Sequence, residues 1–385
     1  MLRRWFKFLA TSSKSKYHAR ARFVFPQLSI DQAFENINNP DLFTVERSNE
    51  IINSYFTISK EYKYEIPQES KLLLLKSFEK ISPIIKSLKI QDFSHMVFFL
   101  NSSKIRSATL WEELEKVCID KHIHNLNQRQ LFECARGFGS NKNKNLKLWQ
   151  KLEECIMEKV YSKGHFYTYP EIRMLLNSFL ITNSGTELLY EKLLQNALDE
   201  IDNAENRDLA KLSLSFMKMN NIKPEIIEVF VQHCMTKLDD FNITYLIYIL
   251  KTFIKLKADG KYTSKINSMI LENIHTITIK NVFDLVKEYK NVYGNDQNSY
   301  FAFFSEKIIE KFPIIWGRSK SHFSDIVVHE YSIKILAVMI ENGVQPKSAL
   351  IDSLLKGIKN DRLPIFYSRF KKEIDIIKKY QLIEN

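Results

Sequence analysis

Apolar side chains recur along most of the chain with the spacing of one face of an α-helix. The segments LWEELEKVC, from Leu110 to Cys118, and LWQKLEECI, from Leu148 to Ile156, show this spacing most clearly. In both, apolar residues fall at i, i+3 and i+7, which places them on one stripe of a helix. The segments begin 38 positions apart, so the pattern predicts a helix that is repeated.

The repeat extends well beyond these two copies. Its first helix, called helix A, continues at steps of 38, 41, 37, 39 and 35 through the register residues Trp111, Trp149, Tyr190, Ile227, Ile266 and Phe301. A second pattern, helix B, alternates with helix A and has two apolar or aromatic residues seven positions apart. Its copies lie at 93–100, 131–138, 172–179, 209–216, 246–253 and 282–289, with an earlier one at 51–58. Seven residues make two helical turns, so both ends face the same side.

Helix start signals agree with this assignment. Pro170-Glu171 and Pro224-Glu225 are typical of a first helical turn. The residues expected as N-caps are Asn127, Asn206 or Asp208, and Asn242. Sustained alternation of period two, the signature of a strand, is missing from the sequence.

The repeat predicts the fold class. An isolated helix pair cannot bury both of its apolar stripes, whereas stacked pairs cover one another. We therefore predict an all-α solenoid of about six or seven helix-turn-helix repeats, with a period near 38 residues, over residues 45–312. Residues 26–44 are predicted as a linker, and residues 313–385 as a C-terminal helical cap with a basic tail.

Composition supports a helical chain in a reducing compartment. Of 385 residues, 45% are apolar and only 9 are glycine and 9 proline, so turns are few. The four cysteines form no CxxC pair, and we expect free thiols inside helices.

The first 25 residues are basic, rich in serine and free of acids. Leu2, Trp5, Phe6 and Leu9 recur at spacings of three and four, so a helix here would be amphipathic. This combination is typical of a mitochondrial transit segment and predicts the mitochondrial matrix. The alternative is a basic arm that stays on the mature protein and holds RNA or a neighbouring protein.

The net charge of +11 is unevenly distributed. Residues 1–30 contribute seven cations and no acids, so about +4 remains for the other residues. A body with this charge permits a nucleic-acid partner without requiring one.

The doubled LW..LE segment, the helix B pattern and the basic amino terminus together resemble organellar helical-repeat proteins. These are the octotricopeptide and heptatricopeptide families and the helical region of FAST-kinase-like proteins that carry a RAP domain. The resemblance covers roughly residues 90–312 and rests on period and apolar pattern. It implies binding to mitochondrial RNA, either rRNA or mRNA. No RAP domain is visible in the sequence, so the resemblance implies no nuclease-like role.

A candidate RNA-binding surface follows from the order of the helices. In a solenoid of helix pairs, the loops from helix B to the next helix A line one edge. Here these loops are rich in cations, which suits a phosphate backbone. The candidate residues are Lys104, Arg106, Lys142, Lys144, Lys147, Lys218, Lys223, Lys255, Lys257 and Lys261. The alternative is that these lysines are merely solvated.

Catalytic and cofactor signatures are missing from the sequence. It contains no GxxxxGK[ST], GxGxxG or HExxH, and the GFGS segment at 137–140 follows a helix rather than a strand. His122 and His124 lie near Cys118, but residues two apart face different sides of a helix. We expect no enzyme activity, no cofactor, no metal and no small-molecule substrate. The most apolar stretch, at 245–256, is too short for a transmembrane segment.

Two functions from different classes remain open. The first is a non-enzymatic RNA-binding protein of the mitochondrial ribosome or another ribonucleoprotein, acting in transcript processing, stability or translation. The second is a protein-binding scaffold or accessory subunit of a large respiratory or ATP-synthase complex.

Overall fold

The fold is described from a computed structural model. It describes residues 28–62, 67–100, 107–162, 164, 167–219, 221–273, 276–293, 307–312, 315, 319, 325–341 and 369–384. Throughout these ranges the regular structure is helical, and no β-strand occurs in them. The predicted all-α class is therefore confirmed. The predicted transit segment, residues 1–25, lies outside the described residues.

The chain divides into two compact units, Met1–Leu126 and Asn127–Asn385. The division falls inside the range 45–312 that the sequence predicts as one repeat domain. It also separates the two copies of the doubled segment, since the first belongs to one unit and the second to the other.

The first unit contains five α-helices in its described part. They are α1 (Ile30–Asn38), α2 (Ser48–Glu61), α3 (Gln68–Ile81), α4 (Ile90–Leu100) and α5 (Ala108–Val117). Helix α2 packs against α1 and α4, and α3 packs against α1.

Helix α1 lies within residues 26–44, where the sequence analysis predicted a linker. Its N-cap Ser29 forms a capping box with Gln32, which satisfies two backbone N–H groups at the helix start. Ala33 and Ile37 are buried against the rest of the unit. This stretch is therefore part of the packed first unit, and the linker assignment is wrong for it.

The second unit contains eleven α-helices in its described part. They are α6 (Gln128–Ser140), α7 (Leu146–Ile156), α8 (Tyr169–Thr182), α9 (Glu187–Asp199), α10 (Asn206–Phe216), α11 (Pro224–Thr236), α12 (Ile243–Lys255), α13 (Gly260–Glu272), α14 (Ile279–Tyr293), α15 (Asp325–Glu341) and α16 (Lys371–Glu384).

The even-numbered helices from α6 to α14, which are the B helices, form a row. Helix α6 packs against α8, α8 against α10, α10 against α12, and α12 against α14. Beyond this row, α15 packs against α14 and α16 packs against α15. Among the A helices, α9 packs against α11.

Helices α6 and α8 approach each other very closely. A Cβ atom added to Gly139 of α6 would lie 2.4 Å from the Ser178 Cβ and 2.8 Å from the Ser178 Cα of α8. The GFGS segment is therefore helical, and its second glycine lets two B helices approach closely.

Most of the residues that define the repeat pattern lie in the core, whereas the register residues Tyr190 and Ile227 are half-buried and Phe301 lies outside the described residues. Trp111 and Trp149 are 5% and 1% exposed, and the paired helix B positions at 93–100, 131–138, 172–179, 209–216, 246–253 and 282–289 are buried. The Trp149 ring meets the Phe179 ring edge-on, with centroids 4.9 Å apart. These aromatic residues are packing residues, as their spacing predicts.

Most of the expected helix starts are confirmed. Asn127 and Asn242 are N-caps, Thr168 and Glu171 form a capping box around Pro170, and Pro224 opens α11. The expectation for α10 is wrong, because Glu205 is the N-cap and Asn206 is already helical. Asp208 instead accepts a hydrogen bond from Arg173 of α8.

Both copies of the doubled segment end in the same way. Helix α5 runs into a π-helical turn at Cys118–His122, and α7 runs into another at Met157–Tyr161. Such turns are rare, since each widens the helix by one residue. The sequence likeness of the two segments thus extends to an unusual local geometry.

The four cysteines are free and buried. Burial raises the pKa of the Cys155 and Cys234 thiols. None of the helices in the described ranges has the length and apolar content needed to cross a membrane.

Candidate nucleic-acid interface

The candidate cations fall into three loops of the second unit, except for two. Lys104 and Arg106 lie outside the described residues. Lys142, Lys144 and Lys147 lie in or beside the α6–α7 loop, Lys218 and Lys223 flank the α10–α11 loop, and Lys255, Lys257 and Lys261 surround the α12–α13 loop. All of them except the half-buried Lys255 are exposed.

The α6–α7, α8–α9 and α12–α13 loops share a common backbone geometry at their first corner. Lys142, Asn183 and Lys257 have φ values of 57°, 53° and 52°, in the left-handed region. Each lies four residues after the last aromatic residue of its helix B. The next residue donates its N–H to the carbonyl of that phenylalanine, over 3.1 Å to Phe138, 2.9 Å to Phe179 and 2.9 Å to Phe253.

This arrangement is a Schellman motif, which ends a helix by satisfying its last carbonyl groups. The second bond of the motif is also present, because the N–H groups of Lys142, Asn183 and Lys257 reach carbonyls three residues earlier. The corners therefore recur at intervals of 41 and 74 residues. Asn220, halfway through the longer interval, lies outside the described residues.

The α6–α7 loop presents its three lysines to solvent. The Trp149 indole donates to the Asn143 carbonyl over 2.9 Å, and the Asn145 side chain caps α7. These bonds fix the loop backbone around the lysines. Within the described part of the chain, the side chains of Lys142, Lys144 and Lys147 form no ion pair or hydrogen bond.

The lysines of the other loops are partly occupied by contacts inside the unit. Lys218 donates to the Asn177 side chain over 2.9 Å, and Lys223 pairs with Glu191 at 2.6 Å. Lys255 donates to the Met217 carbonyl, and Lys261 pairs with Asp259 at 3.0 Å. Lys218, Lys223 and Lys255 thus join neighbouring segments, whereas Lys261 pairs within its own loop. The first three lysines therefore have a structural role that neither the RNA-binding prediction nor the solvated alternative includes.

A crevice of about 590 Å³ lies between the α8–α9 and α10–α11 loops. Lys218 and Lys223 line it together with Tyr190, whose hydroxyl donates to the Ser184 carbonyl. The structure thus brings two of the candidate cations to one concave surface, although the carboxylates of Glu187 and Glu191 share it.

Among the aromatic residues just before and at the start of α8, whose type suits base stacking, two tyrosines are unsuitable. Tyr167 and Tyr169 are 1% and 3% exposed, so their rings cannot meet a base. The Tyr167 hydroxyl donates to the Gln128 carbonyl over 3.3 Å. Phe166 lies outside the described residues.

A second set of cations, which the sequence analysis did not single out, lies on helices of the B row. It consists of Arg129 and Arg136 of α6, Arg173 of α8, and Arg207 and Lys211 of α10, and we call it the arginine cluster. One signal was available in the sequence, because Arg129 and Arg207 both stand two positions before the first apolar residue of their helix B pattern. The predicted surface contains only residues in or beside loops at one edge of the repeat, so it leaves out cations on helix faces.

His122, which the sequence places near His124 and Cys118, lies in a packed environment in the described structure. Among the described residues, no three His, Cys, Asp or Glu side chains are grouped for a metal ion. His122 is buried and lies against Phe93, with ring centroids 4.7 Å apart. Burial and the charge of Lys121 lower its pKa.

No protein-family model matches the chain, and no curated protein shows significant similarity to it. The resemblance to organellar helical-repeat families therefore stays a prediction based on the repeat pattern.

Proposed function

We propose that this chain is a non-enzymatic helical-repeat protein of the mitochondrial matrix that binds RNA through its basic loop edge. In this proposal it acts within the mitochondrial ribosome or another ribonucleoprotein. The 38-residue solenoid period belongs to the same proposal.

Contacts between successive helix pairs of the second unit support the repeat. Thr252 of α12 donates to the Ser213 carbonyl of α10 over 2.9 Å, 39 residues earlier. Lys218 reaches Asn177 of α8, 41 residues earlier, and Lys255 reaches Met217, 38 residues earlier. Side-chain bonds that repeat at nearly one period are expected when each unit packs on the unit before it.

The observation that carries the RNA proposal is the α6–α7 loop. Three exposed lysines lie within six residues there, on a backbone fixed by a Schellman corner, an indole hydrogen bond and an Asn cap. Ammonium groups held this way, with no carboxylate bound to them in the described structure, suit contacts with phosphates.

The test replaces Lys142, Lys144 and Lys147 by glutamate and measures retention of single-stranded RNA over a salt series. We expect weaker binding and a shallower salt dependence, since each lost phosphate contact removes about 0.7 from the slope of log K against log salt. The matched control instead replaces the exposed Lys192, Lys280 and Lys372 by glutamate, which reverses the same number of charges outside the loop. Unchanged affinity and slope in the loop variant would remove this loop from the interface.

A specific observation also favours the alternative, a protein-binding scaffold of a large mitochondrial complex. Leu146 and Leu188 are 61% and 55% exposed, although both are large apolar residues. Leu146 lies at the start of α7 and Leu188 in the first turn of α9. Exposed apolar residues at these positions suit an apolar partner surface.

Crosslinking in intact mitochondria separates the two functions. Recovery of rRNA or mRNA with the wild-type chain, reduced in the lysine variant, supports RNA binding. Recovery of protein alone, reduced by Leu188→Ser and unaffected by the lysine variant, supports the scaffold.

A further inference from the structure

We propose that the crevice between the α8–α9 and α10–α11 loops binds one unpaired guanine base of the RNA. This inference rests on the proposed function, because the base belongs to an RNA strand that is held along the basic loop edge. Contacts with phosphates carry no sequence information, whereas a contact with a base does. The crevice therefore gives the chain a preference for RNA that contains an accessible guanine.

The crevice differs from the loops on either side of it in its charge. The α8–α9 loop, residues 183–186, contains no lysine or arginine, whereas the α6–α7 and α12–α13 loops both do. The charged side chains that line the crevice are two lysines and two glutamates, namely Lys218, Lys223, Glu187 and Glu191. Equal numbers of opposite charges do not favour a phosphate. They suit a neutral group that carries both donors and acceptors, which is what a nucleobase presents on its pairing edge.

The interior of the crevice has the size and the apolar surface that a base needs. Its volume of about 590 Å³ lies within the range of roughly 300–1,000 Å³ that is typical of small-ligand sites. Leu194, Met219 and Ile226 line it, and all three are buried. Bases of single-stranded RNA are recognised when they leave the stack and pack against side chains of this kind and against aromatic rings.

Tyr190 provides an aromatic ring in the lining, and the α8–α9 loop fixes its position. The Tyr190 hydroxyl donates to the Ser184 carbonyl. Gly185 lies against the same ring, since a Cβ atom added there would be 3.3 Å from the Tyr190 Cζ. The φ of Gly185 is 92°, a conformation that favours glycine. A ring that is already held in place loses little side-chain freedom when a base stacks on it.

The ion pair between Lys223 and Glu191 matches the pairing edge of guanine. The Lys223 Nζ lies 2.6 Å from the Glu191 Oε1, and the two side chains are 60% and 46% exposed. Guanine presents an acceptor, O6, beside two adjacent donors, N1–H and the N2 amino group. The ammonium donates to O6 while both oxygens of the carboxylate accept from the two donors. The ion pair stays formed, because a carboxylate has about four acceptor sites.

This match favours guanine over the other three bases. Adenine, cytosine and uracil do not have two adjacent donors on their pairing edges, so none of them can bind both oxygens of one carboxylate in this way. Bidentate hydrogen bonds to a charged group are about twice as strong as bonds between neutral groups. Glu191 is therefore the residue that we expect to determine the base preference.

A second link holds the walls of the crevice at a fixed separation. The Asn221 side chain donates to the Glu187 Oε1 over 3.1 Å. This bond and the Lys223–Glu191 pair both join α9 to the segment just before α11. Because the two walls are linked before RNA binds, the cost of ordering the site is small.

The test compares the full wild-type chain with the variant Glu191→Gln. Glutamine keeps the size of the side chain and an acceptor for Lys223, so the fold should be retained, but its amide has only one oxygen. The control variant Glu228→Gln removes the same charge from an exposed position of α11 outside the crevice lining.

The probes are fluorescent single-stranded RNAs of about 16 nucleotides. They contain uridine throughout, except that the central nucleotide is guanosine, inosine, adenosine or uridine. Inosine lacks only the N2 amino group of guanosine, so the comparison of these two probes isolates one of the two proposed donors.

We expect the wild-type chain and the control variant to prefer the guanosine RNA over the inosine and uridine RNAs by roughly tenfold, as a bidentate contact with a base provides. In Glu191→Gln this preference should largely disappear. The readout is a ratio of affinities for RNAs of equal charge, so the change in protein charge, which affects all of them alike, cancels.

The results that would overturn the inference can be told apart. Equal affinity of the wild-type chain for all four RNAs would reject the guanine contact and leave RNA binding intact. A guanosine preference that persists in Glu191→Gln would place the contact outside the crevice. Binding of guanosine monophosphate without any preference among the RNAs would assign the crevice to a free nucleotide. Failure of the wild-type chain to bind any of the RNAs would reject the proposed function as well.

Discussion

At the scale of single residues, the most informative feature is the left-handed backbone of Lys142 and Lys257. Residues other than glycine pay roughly 1–2 kcal/mol for this conformation, and glycine is the usual choice at the corresponding position of a Schellman motif. The chain places lysine there twice. It therefore accepts a local cost in stability at loops where the proposed function needs cations.

Replacing Lys142 by glycine should raise the free energy of unfolding by about 0.5–1 kcal/mol, because glycine adopts the left-handed corner without strain. Urea denaturation followed by circular dichroism measures this change. Lys142→Ala is the matched control, since it removes the same charge and keeps the strain. Equal stability of the two variants would show that the corner carries no strain.

Sequence reasoning at this scale succeeds where a residue acts locally. Asn127 and Asn242 cap their helices because a cap bond involves only the next three residues. It fails at Asp208, because this carboxylate lies next to Arg173, 35 residues earlier. Once that tertiary pair forms, the side chain cannot serve as a cap.

At the scale of elements, helices α6 and α8 approach each other very closely at Gly139. Gly139 has no space for a Cβ because the backbone of Ser178 lies within 2.8 Å of that position. A backbone atom cannot rotate aside as a side chain can. The small residues Gly139 and Ser178 therefore set the distance between these two helices.

Gly139→Ala should lower the free energy of unfolding by about 2 kcal/mol, because overpacking exceeds the gain in helix propensity. Denaturant unfolding measures the loss. Ser140→Ala, at the exposed neighbouring position, should have little effect. Adding Ser178→Gly to the Gly139→Ala variant should recover part of the loss, and a lack of recovery would place the cause elsewhere.

The repeat pattern predicts the long helices well, since each buries two apolar residues seven positions apart. The same pattern does not predict helix α1, because only Ala33 and Ile37 of its nine residues are buried, and two residues are too few to establish a helical period. The pattern does not predict the arginine cluster either. Its members are spread over three helices, and only the packing of α6, α8 and α10 brings them together.

At the scale of the whole molecule, the row of B helices in the second unit determines how far the destabilising effect of a core mutation should extend. Each helix in the row contacts chiefly its neighbours. In such an arrangement, stability is a sum of local terms and contacts between neighbours. A core defect should therefore act strongly nearby and weakly further along the row.

Phe216 of α10 is fully buried, and its ring lies 4.5 Å from the Phe230 ring of α11. Phe216→Ala should cost about 3–5 kcal/mol and accelerate amide hydrogen exchange most in α8, α10 and α12. The effect should be smallest in α16. Uniform acceleration from α6 to α16 would instead indicate a single cooperative core and contradict the proposed solenoid.

The burial of all four native thiols has a practical consequence. Since a buried thiol reacts slowly, a cysteine introduced at an exposed corner such as Lys142 or Lys257 would take up a maleimide dye selectively, with no native cysteine removed. A donor and an acceptor fluorophore at these two corners would report the length of the row of B helices between them. The same pair would show whether that length changes when nucleic acid is added.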